Sequence, residues 1–64
     1  MRTWLIELRK KKNFSQSDVA EAVKISQPSY CNIENGRNNP RPGTAKRIAA
    51  LLGFDWTAFY KEPA

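Results

Sequence analysis

Two carboxamides, Gln27 and Asn32, sit in the stretch SQPSYCNIENG. In a helix, Tyr30 and Ile33 turn inward at i, i+3, and Gln27, Pro28, Cys31 and Asn32 share the other face. A carboxamide carries a donor and an acceptor side by side. That pair matches the N6 and N7 edge of adenine in a major groove, and a proline ring can touch a thymine methyl. The chemistry on offer is recognition rather than turnover. The chain has no histidine, one cysteine (Cys31) and no carboxylate pair in an evident cleft, so no acid, base and nucleophile set can be assembled. A single thiol cannot close an intrachain disulfide, and without histidine it cannot build a zinc site. No metal, no cofactor and no enzymatic activity are expected.

The elements that must position these groups are all helical. Trp4, Leu5 and Leu8 predict a helix over 3–12, with Lys10, Lys11 and Lys12 at the negative end of its dipole. Asn13 ends it, and Phe14 enters the core. A second helix is expected over 16–23, burying Val19, Ala20 and Val23, with Ser15 and Asp18 forming a capping box. The turn Val23-Lys24-Ile25-Ser26 follows, with Ile25 plugging the corner. Ser26 caps a third helix over 27–35 that holds Pro28 in its first turn, and Gly36 supplies a left-handed end. Asn38, Asn39, Pro40, Pro42 and Gly43 read as a loop. A fourth helix over 44–52 takes Thr44 as cap, buries Ile48, Leu51 and Leu52, and stops at Gly53. Asp55 caps a last short helix over 56–60 that gathers Trp56, Phe59 and Tyr60, and 61–64 form a frayed tail. Sixty-four residues suffice for one core and no more. The expectation is one all-α domain over 1–64, five short helices and no strand, with a helix-turn-helix at 16–35.

Charge narrows the partners. Eleven Lys and Arg against six Asp and Glu leave a net charge of +5. Arg9, Lys10, Lys11 and Lys12 form one basic block. Between Asn35 and Phe54 there is no acid, while Arg37, Arg41, Lys46 and Arg47 are present. Such an excess points to a polyanion, either nucleic acid or an acidic membrane surface. No run approaches the roughly 18 apolar residues of a membrane span. The opening MRTWLIELRKKK lacks the order of a signal peptide, and the lone thiol suits a reducing cytoplasm.

The ordered pattern LRKKKNFSQSDVAEAVKISQPSYCNIENGRNNPRP…IAALLGF resembles the Xre family of helix-turn-helix regulators, the fold of the lambda-type repressors and Cro proteins. Leu8-Arg9, Ser15-Gln16, Val19-Ala20, Ile33-Glu34-Asn35-Gly36 and Leu52-Gly53 carry the resemblance, which covers residues 5 to 60. It implies that Gln27, Pro28 and Asn32 read bases and that Gln16 meets a phosphate at a helix N-terminus. It implies further that Asn35, Arg37, Asn38 and Arg41 follow the sugar-phosphate backbone. Arg9 and Glu34 become a structural ion pair, which explains an acid so near a DNA-facing surface. Two positions depart from the pattern. Lys24 stands where the family has glycine, at a cost of roughly 1 kcal/mol for a left-handed backbone. Tyr30 stands where the family has a branched aliphatic residue, and is read as a core ring with its tip at the surface.

The resemblance implies a sequence-specific double-stranded DNA-binding transcriptional regulator of bacterial or phage type, with the third helix in the major groove. A palindromic operator and a homodimer, at least on DNA, are expected, with half-sites roughly 34–36 Å apart. The Trp56, Phe59 and Tyr60 cluster is the candidate dimer surface. The alternative is an antitoxin-like or antirepressor-type module that binds a protein partner through the same fold.

Overall fold

The computed structural model describes residues 1–61; of the expected frayed tail, 62–64 lie outside the described residues. Four α-helices follow in order: α1 (Thr3–Lys11), α2 (Gln16–Val23), α3 (Gln27–Glu34) and α4 (Pro42–Leu52). A 3-10 helix (Trp56–Tyr60) closes the described chain in place of the expected fifth α-helix. The Ala58 N–H reaches the Asp55 carbonyl at 2.9 Å, the tighter i→i+3 closure of a 3-10 turn.

Local chemistry explains most boundaries. Ser15 Oγ accepts from the Asp18 N–H at 3.0 Å, and an Asp18 carboxylate oxygen accepts from the Ser15 N–H at 2.9 Å. This capping box starts α2. Ser26 Oγ accepts from the Ser29 N–H at 3.2 Å and starts α3. Asp55 does the same for the 3-10 helix through the Thr57 N–H at 2.9 Å. The start of α4 differs from expectation: Arg41 is the N-cap without a side-chain cap, and Pro42 rather than Thr44 opens the helix. Proline lacks the N–H that would go unused there, and its fixed φ is already helical. The helix-turn-helix stops one residue early, because Asn35 is the C-cap of α3.

All four α-helices end alike. A residue at positive φ follows each, namely Asn13 at 61°, Lys24 at 63°, Gly36 at 79° and Gly53 at 78°. The next N–H then bonds five residues back, the closure that satisfies orphan carbonyls at a helix end. Phe14 reaches Arg9 O at 3.2 Å, Ile25 reaches Ala20 O at 3.0 Å, and Phe54 reaches Ala49 O at 3.1 Å. Those three side chains pack against the core. At the end of α3 the equivalent donor is Arg37, bonded to Asn32 O at 3.0 Å, and it is exposed.

The core is built from Leu5, Val19, Ala20, Val23, Tyr30, Ile33, Ala45, Ile48, Leu52 and Phe59. Each large apolar side chain so buried contributes about 1.5–3 kcal/mol. α2 packs on α3 and α4, α1 lies against α3, and the 3-10 helix folds back on α4. Ala20 is 2% exposed, and enlarging it would cost about 1–3 kcal/mol by overpacking. The C-terminal aromatic residues divide rather than cluster. Phe59 turns inward to meet Trp4 and Phe54, with ring centroids 5.4 and 5.5 Å away. Trp56 and Tyr60 pair separately at 5.9 Å, and Tyr60 remains 45% exposed.

Candidate nucleic-acid interface

α3 presents two unlike faces. Tyr30 and Ile33 are buried, while Gln27, Pro28 and Ser29 are exposed and Cys31 and Asn32 half-buried. Gln27 is therefore exposed on the outer side of α3, and Asn32 is half-buried at its edge. The Asn35 amide donates to Cys31 Sγ at 3.5 Å, which ties one outward polar group to the helix below it. Ser29, which sequence reasoning missed, sits beside Pro28 and accepts a hydrogen bond from the Ser26 hydroxyl at 2.8 Å. A polar residue directly after the proline was the available signal.

Beyond α3 the chain bends into an open cleft. Ile25, Ile33 and Pro40 line it together with Arg37, Asn38 and Arg41. Two arginines are thus brought to one cleft next to the outer face of α3. No acidic residue lies in the first turn of α4, which starts from Arg41. The first N–H groups of a helix have no intrahelical partner and favour an anion.

The other end of the site is a buried polar hub. Glu34 is 1% exposed, and its Oε2 accepts from Arg9 Nε at 2.7 Å. Arg9 Nη1 also donates to the Phe14 carbonyl at 2.9 Å. Gln16 Nε2 donates to Glu34 Oε1 at 2.9 Å. The amide of Gln16 is therefore committed to the protein through one of its two hydrogens. Burial works to raise the Glu34 carboxyl, but the hydrogen bonds from Arg9 and Gln16 outweigh it and hold the group below its ordinary value. The bond to Glu34 in turn raises Arg9.

Tyr30 differs from the expected surface tip. The residue is fully buried, and its hydroxyl has no hydrogen-bond partner of regular geometry among the described residues. Burial and then the Glu34 carboxylate push its ionisation above the ordinary phenol range, so the ring stays neutral. The long side chain reaches past the place where a branched aliphatic residue would stop, into the neighbourhood of the Arg9–Glu34 pair.

Arg2 is the residue that sequence reasoning did not find. It is 4% exposed and reaches the end of α3 and the loop after it. Its acceptors, on Ile33, Asn38 and Asn39, lie 31, 36 and 37 residues away. No local pattern signals contacts at that separation.

A basic helix-turn-helix with a free outer face on its second helix is the architecture of a DNA-binding regulator. The profile of the Helix-turn-helix family matches residues 5–59, and the chain belongs to that family of Xre or lambda-repressor-like transcriptional regulators, which are not enzymes. An uncharacterized HTH-type transcriptional regulator of Bacillus subtilis, YqaF, is 44% identical over 62 residues, covering 97% of this chain and 82% of that protein. The ImmF control region 10 kDa protein of Bacillus phage phi105 is 40% identical over 47 residues, covering 73% of this chain and 52% of that protein. An uncharacterized HTH-type transcriptional regulator of Methanothermobacter thermautotrophicus is 38% identical over 53 residues, covering 83% of this chain and 77% of that protein. No solved structure matches the chain. Among the described residues no helix is long and apolar enough to cross a membrane.

Proposed function

We propose that this protein is a sequence-specific regulator of double-stranded DNA that places α3 in the major groove. The observation that carries the reading is the division of α3. Tyr30 and Ile33 are consumed by the core, while Gln27 and Pro28 stay exposed and Asn32 half-buried, next to a cleft holding Arg37 and Arg41. In this reading Gln27 and Asn32 pair with base edges and Pro28 meets a thymine methyl. Gln16, Asn35, Arg37, Asn38 and Arg41 grip the flanking backbone. Arg9 and Glu34 brace α1 against α3 rather than touch DNA.

A homodimer on a palindromic operator completes the reading. The exposed Tyr60 and its neighbour Trp56 offer the apolar surface for it, flanked by Lys46, whose Nζ lies 5.0 Å from the Trp56 ring centroid. The setting is cytoplasmic. Selection of bound sequences from a random duplex library tests binding, preference and half-site symmetry together. Gln27→Ala and Asn32→Ala are each expected to relax preference at one base position by about 1–3 kcal/mol, with the fold intact. Unchanged preference in both variants would sink this reading face. A response to DNA that is flat with salt and blind to sequence, together with tight capture of a protein, would favour the antitoxin-like alternative.

A further inference from the structure

The end of α3 has a packing problem that the other helix ends lack. Phe14, Ile25 and Phe54 clasp the ends of α1, α2 and α4 onto the core, whereas the matching residue after α3 is the exposed Arg37. The loop that follows needs another fastening. Two long side chains from distant parts of the chain supply it.

Arg2 comes from the N-terminal side of α1. Its Nη1 donates to the carbonyl oxygens of Ile33 and of Asn38, the latter at 3.0 Å, and its Nη2 donates to Asn39 Oδ1. Its backbone N–H donates to the Glu34 carbonyl at 2.7 Å. Its guanidinium lies 5.4 Å from the Phe59 ring centroid, so the cation is seated on the core from below. Tyr60 comes from the other end of the chain and donates its hydroxyl to the Pro40 carbonyl at 2.6 Å. Between them the two residues hold consecutive points of the loop, at 38, 39 and 40. Arg37 and Arg41 flank those points.

We infer that Arg2, with Tyr60 as a second tether, is a positioning residue for DNA binding. It holds loop 37–41 so that Arg37, Asn38 and Arg41 meet successive phosphates in register. The inference rests on the DNA-binding reading above. Arg2 is buried and its guanidinium joins the end of α3 at Ile33 to Asn38 and Asn39 of the loop, so it acts through the loop and not by its own charge on DNA.

The test is a salt series of duplex titrations on the full chain, for the unmodified protein and for Arg2→Lys, Asn39→Ala, Tyr60→Phe and Arg37→Ala. Thermal melts and amide hydrogen exchange over 37–41 are measured on the same samples. Lysine keeps the charge of Arg2 but lacks the planar fork that serves several acceptors at once. Tyr60→Phe removes only the hydroxyl. In folded samples, Arg2→Lys and Tyr60→Phe are expected to bind selected and random duplexes alike about three- to tenfold more weakly, with a salt slope shallower by about one and unchanged base preference. Loop amides are expected to exchange faster. Asn39→Ala removes one acceptor from an exposed residue and is expected to shift the same readouts in the same direction, so it serves if Arg2→Lys does not fold. Folded tether variants with unmodified affinity and slope would overturn the inference, as would losses that track the unfolded fraction alone. If the unmodified protein binds and Arg37→Ala flattens the slope while the tether variants do not, this inference alone fails. If the unmodified protein binds no duplex, the DNA-binding reading fails and takes the inference with it.

Discussion

The ends of α2 and α3 share one backbone design and put it to different uses. Each has a residue at positive φ, Lys24 or Gly36, and then an N–H bonded five residues back. After α2 the next side chain is Ile25, which packs against the core and sets the corner of the helix-turn-helix. After α3 it is Arg37, which lies exposed on the cleft beside the outer face of α3. An apolar residue at that position would fasten the helix end as Ile25 does. Having an arginine there gives up that contact, and the fold compensates with tethers from Arg2 and Tyr60. A helix end can thus carry an exposed polar residue once the rest of the fold supplies the missing contact.

The largest effect is expected where α1, α2 and the end of α3 meet. Arg9→Ala leaves the 1% exposed Glu34 without its main partner and is expected to cost about 3–5 kcal/mol in chemical denaturation near neutral pH. The pH dependence has a definite sign. Glu34 is held below its ordinary value of 4.5, so its contribution is full above that pH and is lost as pH falls through the lower folded value. The Arg9→Ala deficit is expected to shrink on acidification, because a protonated Glu34 no longer needs the cation. A deficit that stays constant from neutral pH to pH 3 would show that the pair contributes only packing.

At the end of α2, Ile25→Ala is expected to cost about 2 kcal/mol, since the residue is only half-buried and the site can partly collapse. Duplex binding by the remaining folded protein should keep its salt slope. Lys24→Gly is expected to stabilise by at most about 1 kcal/mol, because φ of 63° is strained for lysine and free for glycine, while glycine loosens the unfolded chain. A melting temperature that falls would show that the lysine side chain contributes more than its backbone costs.

At the end of α3, Arg37→Ala is expected to change stability by less than about 0.5 kcal/mol. It is expected instead to weaken all duplexes alike and to make the salt slope shallower by about one. If Arg37→Ala destabilised the fold as much as Ile25→Ala, the contrast between the two helix ends would disappear.

Much of this was legible beforehand. The caps Ser15, Ser26 and Asp55 act within three residues, so they can be read from the chain. The inward set Val19, Val23, Tyr30 and Ile33 follows from helical spacing. The start of α4 lies before the position the sequence points to, because Thr44 is an attractive cap while Pro42 pre-forms the first turn two residues earlier. The C-terminal aromatic residues divide because Phe59 finds Trp4 and Phe54 in the core, contacts that helical spacing within 56–60 does not signal, while Tyr60 is left exposed.

The sequence by itself determined the four α-helices, most of their ends and the residues of α3 that the core takes up. These depend on neighbours within one or two turns, where residue type and spacing settle the geometry. It also determined, by family likeness, that the protein is a helix-turn-helix regulator. Only the tertiary structure decided where the long polar side chains go. Gln16 is drawn to Glu34, the Tyr30 hydroxyl is sealed in beside it, and Arg2 crosses to Ile33, Asn38 and Asn39. Flexible side chains take partners that the folded helices bring near. The partners of Gln16 and Arg2 lie 18 to 37 residues away in the chain, beyond the reach of any local pattern.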